Sequence, residues 1–227
     1  MSLGLKLQQL RLQLAYEGRL LGEIFFPRRC AVCQKEIEEG CFCASCRQSF
    51  VLARRLPERE SVDGIILLYK YQNQLQHLLQ QVKFAGQAGL LPLLREEVLL
   101  TWQAYFSHTL GDYDYISCIP TSPERRKQRG FDIPQEIFSQ LSPEQWRPEL
   151  LVRVRRTLPL FNLEPRLRQE EVAGCFQVQE NVRGKRILLC DDIYTSGSTM
   201  EEAALTLKAA GASQVVALGF TASKDNW

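Results

Sequence analysis

The stretch Ile187–Met200, ILLCDDIYTSGSTM, decides how we expect the chain to fold. Four apolar residues run into two adjacent aspartates, a turn of small hydroxyl residues with one glycine follows, and a helix-like sequence then begins at Ser198. In an open sheet of parallel strands, ligands bind beyond the carboxyl ends of the strands. The pattern therefore predicts a buried strand over Arg186–Cys190 that carries Asp191 and Asp192 to a binding edge.

The residues after the turn predict a helix over Ser198–Ala210 and a returning strand over Val215–Phe220. The helix would bury one face, which consists of Met200, Ala203, Ala204 and Leu207. Gly211 suits the residue just beyond the helix C-terminus. A strand, a helix and a strand with short connections form a βαβ unit, so we expect an α/β fold with a parallel sheet flanked by helices.

The turn between the strand and the helix is suited to an anion. Backbone N–H groups at a helix N-terminus and the helix dipole attract negative charge, and hydroxyl groups add hydrogen bonds. The candidate phosphate-binding residues are Thr195, Ser196, Gly197, Ser198 and Thr199. Two carboxylates would repel a nearby phosphate unless a sugar lay between them, so the pattern favours a ribose 5-phosphate. The alternative is a capped helix that merely follows a buried strand.

This stretch resembles the 5-phosphoribosyl 1-pyrophosphate (PRPP) motif of type I phosphoribosyltransferases. It departs from the motif at Tyr194, where an aliphatic residue is usual. The resemblance implies that Asp191 and Asp192 bind the ribose hydroxyls, directly or beside Mg²⁺, and that Thr195–Thr199 hold the 5-phosphate.

Five of the eight cysteines lie in the segment CAVCQKEIEEGCFCASC, residues 30–46. Two C-x-x-C turns that face each other make a tetrahedral four-thiolate site, which zinc favours. We expect the ligands of this structural zinc to be Cys30, Cys33, Cys43 and Cys46. Free buried thiols or a redox pair are the alternatives, and Cys41 could replace Cys43. Cys118, Cys175 and Cys190 lie in apolar strand contexts and are expected in the core.

We expect three regions: an N-terminal helix in residues 1–29, a zinc-binding segment in 30–60 and a phosphoribosyltransferase-like domain in 61–227. The leucine periodicity of the first region favours packing on the protein itself, with a membrane-surface helix as the alternative. Apolar runs are too short to span a bilayer, and no signal peptide is apparent, so the expected location is the cytosol, with the inner face of the membrane reached through a partner.

Further elements are predicted along the last region. Strands are expected at Gly64–Tyr71, Asp114–Ile119, Leu150–Val154 and Gly174–Val178. Helices are expected at Asn73–Phe84, Leu90–Phe106 and Ile133–Leu141. Thr121–Gly130 is predicted to be a loop, and Arg155–Glu171 an irregular arm.

A local basic patch suits backbone phosphates of nucleic acid or a pyrophosphate group, although a solvated helix face would look similar. The candidate residues are Arg125, Arg126, Lys127, Arg129, Arg153, Arg155 and Arg156. Few aromatic residues lie near them in the sequence (Phe131 and Phe161), so little base stacking and weak sequence preference are expected.

From FFPRRCAVC onward the whole chain resembles the ComF/ComFC competence family. Family-like pieces occur in order: the cysteine quartet, YKYQNQLQHLLQQVKFAG, CIPTSPERRKQRGF, LVRVRRTLP, AGCFQV and GKRILLCDDIYTSGST. The resemblance implies a role in natural transformation, inside the cell, on incoming single-stranded DNA and beside an ATP-driven, helicase-like partner of the ComFA type.

Four positions depart from the family pattern and lie where the acceptor side of a transferase site would be completed. Asp132 and Ile133 replace an Asn-Gln pair, Leu160 replaces a Gln, and Glu171 replaces an Asn. The phosphate loop is untouched, so the resemblance favours PRPP binding over turnover. Three functions stay open: a DNA-handling competence factor, a phosphoribosyltransferase that uses a nitrogen nucleophile, and a PRPP-sensing regulator.

Overall fold

The computed structural model describes residues 27–157 and 165–224. The predicted N-terminal helix lies outside the described residues, as do Leu160 and Phe161. The strands are β1 Val51–Leu56, β2 Ile65–Lys70, β3 Tyr115–Cys118, β4 Leu151–Arg153, β5 Phe176–Val178, β6 Arg186–Tyr194 and β7 Gln214–Ala222. The α-helices are α1 Ala44–Phe50, α2 Asn73–Phe84, α3 Leu91–Tyr105, α4 Pro123–Arg129, α5 Ile133–Phe138, α6 Pro165–Val172 and α7 Ser198–Ala209.

The main sheet has five strands in the order β1-β2-β7-β6-β3. The neighbours β2 and β7, β7 and β6, and β6 and β3 are parallel, whereas β1 is antiparallel to β2. The predicted βαβ unit is therefore confirmed as β6-α7-β7. A separate antiparallel pair joins β4 to β5.

Both faces of the sheet are covered, which is why its central strands are almost continuously apolar. Ile66, Leu68 and Phe220 belong to the core cluster that includes residues of α2, α3 and α5. Leu67 and Leu189 belong to the opposite cluster, with the predicted apolar face of α7. Cys118, Cys175 and Cys190 are fully buried in these clusters, as the sequence predicts.

Two predictions about irregular segments are wrong. The basic segment after β3 is the helix α4, because Ser122 caps its first turn by accepting from Arg125 N at 3.4 Å, and Gly130 ends it in the left-handed conformation. The last seven residues of the predicted irregular arm, Pro165–Glu171, belong to the helix α6.

The strand β1 continues the zinc-binding segment into the main sheet, and neither β1 nor α1 was predicted. Ala53 has a φ of +40°, and the register with β2 shifts between Val51 and Arg54. This bulge interrupts the two-residue alternation by which a strand is recognised. The boundary at residue 60 stays a prediction. No helix in the described part of the chain is long and apolar enough to cross a membrane.

Candidate functional site

The two aspartates lie near the carboxyl end of β6, on the side of the sheet where the parallel strands end. The neighbouring strand β3 ends at Cys118, which stands opposite Cys190, so β6 extends beyond its neighbour just where Asp191 begins. The strand itself runs to Tyr194 and thus further than the Arg186–Cys190 of the sequence prediction. The pair is therefore held on a paired strand, because β7 continues beside it as far as Ala222.

A lysine from another element neutralises one of the aspartates. Lys83, in the last turn of α2, places Nζ 2.7 Å from Asp192 Oδ2, and both side chains are less than a fifth exposed. The main chain of Asp192 is also fixed, since its N–H donates to Asp191 Oδ1 at 2.9 Å and its carbonyl accepts from the Thr221 hydroxyl at 3.0 Å. The carboxylates are thus positioned before any ligand binds.

Electrostatics distinguish Asp191 from its neighbour. Desolvation raises the pKa of the Asp191 carboxyl, the negative charge of Asp192 raises it further, and Lys83 lowers it. A third carboxyl, Asp132, is nearly buried and accepts from Thr121 N at 3.0 Å, while its Oδ1 has no partner among the described residues. Burial raises the pKa of Asp132 as well. A cation or ribose hydroxyls would relieve this concentration of negative charge.

The turn after β6 has the geometry of an anion-binding loop. Gly197 is the N-cap of α7 and has a φ of +82°, a conformation that favours glycine. The Ser196 and Ser198 hydroxyl oxygens are 3.0 Å apart, and the first helical turn is closed by Glu201 N, which donates to Gly197 O at 2.8 Å. The loop therefore presents hydroxyls and a helix N-terminus at the same edge as the aspartates.

Tyr194 and Arg59 pack beneath this turn. The Tyr194 side chain is 2% exposed, and its hydroxyl is buried without a hydrogen-bond partner in the described residues. The Arg59 guanidinium lies 5.6 Å from the centre of the Tyr194 ring and donates to Ser196 O at 2.7 Å. Burial raises the pKa of Tyr194 to about 12, so the hydroxyl stays neutral at physiological pH. The departure from the PRPP motif at this position is thus a packing feature of the loop.

The predicted basic residues divide into two groups. Arg125, Arg126 and Lys127 are exposed on α4, and no ion pair within residues 27–157 and 165–224 involves them. Arg129 is half-buried, and its guanidinium lies 6.0 Å from the centre of the Phe84 ring. Burial lowers the pKa of Arg129, and the nearby carboxylate of Asp192 partly offsets this effect. The helix α4 therefore borders the carboxylate site.

The remaining three arginines contact the protein itself. Arg153 packs on the Phe176 ring at 4.8 Å and donates to Thr157 Oγ1 at 3.0 Å. Arg155 donates to the carbonyls of Glu171 and Ala173, at the C-terminal end of α6. Arg156 pairs with Glu124 of α4 across 2.5 Å. Arg153 and Arg155 thus contact the β4-β5 arm and the end of α6, whereas Arg156 makes an exposed ion pair with α4.

The four cysteines of the two C-x-x-C turns come together. The Sγ atoms of Cys30, Cys33, Cys43 and Cys46 all lie within 4.8 Å of one another. A tetrahedral zinc with Zn–S bonds of about 2.3 Å would space its ligands about 3.8 Å apart, and the Cys33–Cys43 distance is 3.6 Å. The donor set therefore fits such an ion. Cys41 is outside this group: it is buried, and burial raises the pKa of its thiol.

The cysteine knuckle, residues 27–50, is joined to the main domain through Glu97 of α3, which is fully buried. Its carboxylate accepts from Arg47 Nε at 2.5 Å and from Cys41 N at 3.0 Å, both in the knuckle. It also accepts from the Tyr69 hydroxyl at 2.8 Å, and that hydroxyl contacts Thr101 Oγ1. A buried charge with this many donors holds the two parts in one orientation.

Three residues of the site were not singled out from the sequence as site residues: Lys83, Arg59 and Phe84. Lys83 and Phe84 stand in the segment YKYQNQLQHLLQQVKFAG, which carries the family resemblance but has no residue pattern that points to a ribose site. Arg59 lies in the connection between β1 and β2, where no motif marks it.

Comparison with known proteins shows which proteins this chain is similar to. A sequence model described as the phosphoribosyl transferase domain matches residues 136–224. DNA utilization protein YhgH of Salmonella typhi is 28% identical over 199 residues, which cover 82% of this chain and 86% of that protein. Competence protein F of Haemophilus influenzae is 25% identical over 202 residues, covering 84% and 88%. Competence protein ComFC of Bacillus subtilis is 26% identical over 166 residues, covering 72% and 66%.

Among solved structures, phosphoribosylpyrophosphate synthetase from Mycobacterium smegmatis aligns with 59% of this chain and 33% of its own, at 17% identity and a TM-score of 0.32. The matched domain and the parallel sheet that ends in two carboxylates and a hydroxyl-rich turn define the class as type I phosphoribosyltransferase-like. The relatives then narrow this class, because their names, DNA utilization protein YhgH, competence protein F and competence protein ComFC, support the resemblance to the ComF/ComFC family.

Proposed function

We propose that the protein serves natural transformation by handling incoming single-stranded DNA in the cytosol, with PRPP or another phosphoribosyl ligand bound at Asp191, Asp192 and the phosphate loop. The observation that carries the proposal is the exposed basic face of α4 beside the carboxylate site. Two relatives named as competence proteins support the biological setting. A ComFA-type ATP-driven partner follows from the family resemblance, and co-purification of the two proteins tests it.

The basic face suits a nucleic-acid backbone for a physical reason. Arg125, Arg126 and Lys127 have no internal carboxylate partner in the described residues, so their charge is available to phosphates without breaking an ion pair. Each phosphate that such a side chain neutralises releases a counterion, which makes affinity fall with salt. The contacts would be to the backbone, so little sequence preference is expected.

The test compares two variants that lose the same charge. Arg125→Gln, Arg126→Gln and Lys127→Gln combined should weaken binding to every single-stranded sequence alike and lower the salt slope by roughly one unit per lost contact. The control combines Lys35→Gln, Arg54→Gln and Arg183→Gln, three exposed positions elsewhere on the protein. Fluorescence anisotropy at several salt concentrations measures both. Equal losses in the two variants would show that general charge, and not α4, binds the DNA.

A second measurement links the DNA to the phosphoribosyl site. Because α4 borders Asp192 through Arg129, a bound PRPP would add negative charge next to the basic face. We therefore expect millimolar PRPP with Mg²⁺ to weaken the binding of single-stranded DNA. An unchanged DNA affinity, with PRPP binding shown by calorimetry, would mean that the two ligands use separate surfaces.

The same site supports a second function, phosphoribosyl transfer. The nitrogen of an acceptor would attack C1 of PRPP, the bond from C1 to the pyrophosphate oxygen would break, and pyrophosphate would leave with the electron pair. No side chain needs to act as a nucleophile, because positioning and charge stabilisation of an oxocarbenium-like state suffice. The carboxylate pair beside the hydroxyl loop favours this candidate. Release of pyrophosphate from PRPP in the presence of nitrogen nucleophiles tests it, with Asp191→Asn as the variant expected to abolish release.

We also propose that Cys30, Cys33, Cys43 and Cys46 hold one structural zinc ion. Their close approach supports this proposal, since four thiolates leave no open coordination position for a substrate. Such an ion contributes on the order of 10 kcal/mol to the folding of a segment with little core of its own. Elemental analysis of the purified protein should find close to one zinc per chain.

A further inference from the structure

An exposed aromatic ring stands at the edge of the carboxylate site. Phe84 is 76% exposed, the highest value among the large hydrophobic residues that the structure describes as exposed. It is the last residue of α2 and directly follows Lys83, whose ammonium group lies 2.7 Å from Asp192. A phenyl ring exposed beside a charged site leaves its face available to a ligand, and aromatic faces contact planar groups and cations.

One side of this ring is already occupied by a cation. The Arg129 guanidinium lies 6.0 Å from the ring centre, within the range of a cation–π contact. Because three quarters of the side chain is exposed, the ring keeps an open face toward solvent. An aromatic ring with a cation on one side and solvent on the other is suited to a planar, electron-rich group on its open face.

The charges around the ring indicate where that planar group comes from. Arg129 belongs to α4, which also exposes Arg125, Arg126 and Lys127. Arg125 and Arg129 lie one helical turn apart and thus on the same face of the helix, and besides burial the charge of Arg125 lowers the pKa of Arg129. A nucleic acid can stack a base on the ring while its phosphates pair with the positive charges of the helix. A neutral apolar partner would leave those charges without a counterpart.

We propose that Phe84, backed by Arg129, is a stacking platform for one base of a single-stranded nucleic acid whose phosphates lie along α4. This inference rests on the proposed DNA-binding function. It adds to that function a contact, base stacking on Phe84, that only an unpaired base can make. A duplex keeps its bases stacked on one another, so the platform explains a preference for single strands that the basic helix alone would not give.

The experiment separates base contacts from phosphate contacts. The full-length protein is titrated by fluorescence anisotropy with a labelled oligothymidylate of about 20 nucleotides, and with an abasic oligomer that has the same length and charge. Loss of one stacked base predicts that Phe84→Ala weakens oligothymidylate binding about 5- to 150-fold. Affinity for the abasic oligomer and the salt slope should not change, because every phosphate contact remains.

Two further variants and a control sharpen the result. Phe84→Trp should restore the affinity, and Phe84→Leu should not, because leucine keeps apolar bulk without an aromatic face. Tyr105→Ala is the matched control: Tyr105 is half-exposed at the end of α3, which leads toward the amino end of β3. This variant should bind both oligomers as the wild type does. Thermal melting checks that each variant folds, which the exposure of both rings favours.

The outcomes separate a failure of the stacking proposal from a failure of the proposed DNA binding. If Phe84→Ala weakens both oligomers equally, or neither, the platform is refuted while DNA binding stands. If Phe84→Leu binds as well as the wild type, the contact is merely apolar and stacking is refuted. If the wild type binds neither oligomer, the proposed DNA role and the platform fall together.

Discussion

Gly197, in the proposed phosphate-binding turn, can be tested against a second glycine of the same chain as a control. Gly130, at the end of α4, and Gly197, at the start of α7, have the same backbone conformation, with φ +82° and ψ −3°. Their surroundings differ. A Cβ atom at Gly197 would lie 2.5 Å from the Tyr194 hydroxyl oxygen and 2.8 Å from Arg59 Nη1, whereas at Gly130 nothing lies within 4 Å.

The two alanine variants should therefore differ by the cost of the contact alone. Placing alanine in the left-handed conformation costs about 1–2 kcal/mol at either site. Overpacking typically adds about 1–3 kcal/mol, and only Gly197→Ala meets it. We expect Gly130→Ala to lower the melting temperature by roughly 2–8 °C, and Gly197→Ala to lower it by roughly 4–20 °C, at the few degrees per kcal/mol typical of a chain of this size.

Tyr194→Phe provides the rescue. It removes the oxygen closest to the new methyl group, although the ring carbon beneath it would still be 2.9 Å away, so part of the loss in Gly197→Ala should be recovered. By itself, Tyr194→Phe should be neutral or stabilising, because the hydroxyl that it removes is buried without a partner among the described residues.

Thermal and denaturant unfolding of the four variants measure these differences, and calorimetric titration with ribose 5-phosphate measures the loop. Equal destabilisation by Gly130→Ala and Gly197→Ala would refute the argument from Tyr194 and Arg59. If Gly197→Ala binds ribose 5-phosphate as tightly as the wild type, the loop is not the phosphate site.

Three other changes test the rest of the site. Glu97→Gln should lower the free energy of unfolding by about 3 kcal/mol, because it breaks an ion pair whose carboxylate is fully buried. The neighbouring Glu96→Gln breaks a pair whose carboxylate is about a third exposed, and it should cost less than about 1 kcal/mol in the same denaturant titration. Cys33→Ser should lose the zinc found by elemental analysis and destabilise the knuckle, and a metal-free wild type that is fully folded would contradict this. Asp191→Asn should lower affinity for ribose 5-phosphate about tenfold or more. It should also raise the melting temperature at pH 8 more than at pH 5, because a raised pKa makes the folded state lose stability as pH rises from the unfolded value, near 4, through the folded one.

The sequence predicts those parts of the structure whose interacting residues are close together along the chain. The sequence predicts the order and type of the elements in β6-α7-β7 and the bounds of α7 to within one residue, because the strand, turn and helix signals are all local and agree with one another. It does not predict that β6 continues through the two aspartates to Tyr194. The knuckle was predicted for the same reason, since two C-x-x-C turns lie close together in the chain. By contrast, the Lys83–Asp192 ion pair joins residues that only the fold brings together, and neither residue type indicates the other.

The helix α4 shows a second limit of prediction from sequence: capping residues indicate a helix, but the lack of an apolar face outweighs them. Ser122, Pro123 and Gly130 are a typical N-cap, first residue and C-terminal residue of a helix. The segment between them has no apolar face, and a helix of seven residues without such a face is not recognised by periodicity. Its helical form places Arg125 and Arg129 on one face and leaves Arg126 and Lys127 further around the helix.

Asp132 departs from the family pattern, yet its side chain still accepts a hydrogen bond from the main chain of the loop that follows β3. The family's asparagine would offer an amide oxygen and an N–H donor at this position. Asp132 Oδ2 takes the role of the amide oxygen by accepting from Thr121 N at 3.0 Å, which fixes the start of the loop into α4. Burial raises the pKa of the carboxyl, and its other oxygen has no partner in the described residues. Thr121 N needs only an oxygen acceptor, which aspartate and asparagine both supply, so the substitution is compatible with this contact while Oδ1 stays unpaired among the described residues. The same oxygen, when ionised, adds negative charge beside Asp191 and Asp192, and the binding of a cation or of a ligand that brings one would then become more favourable as the pH rises.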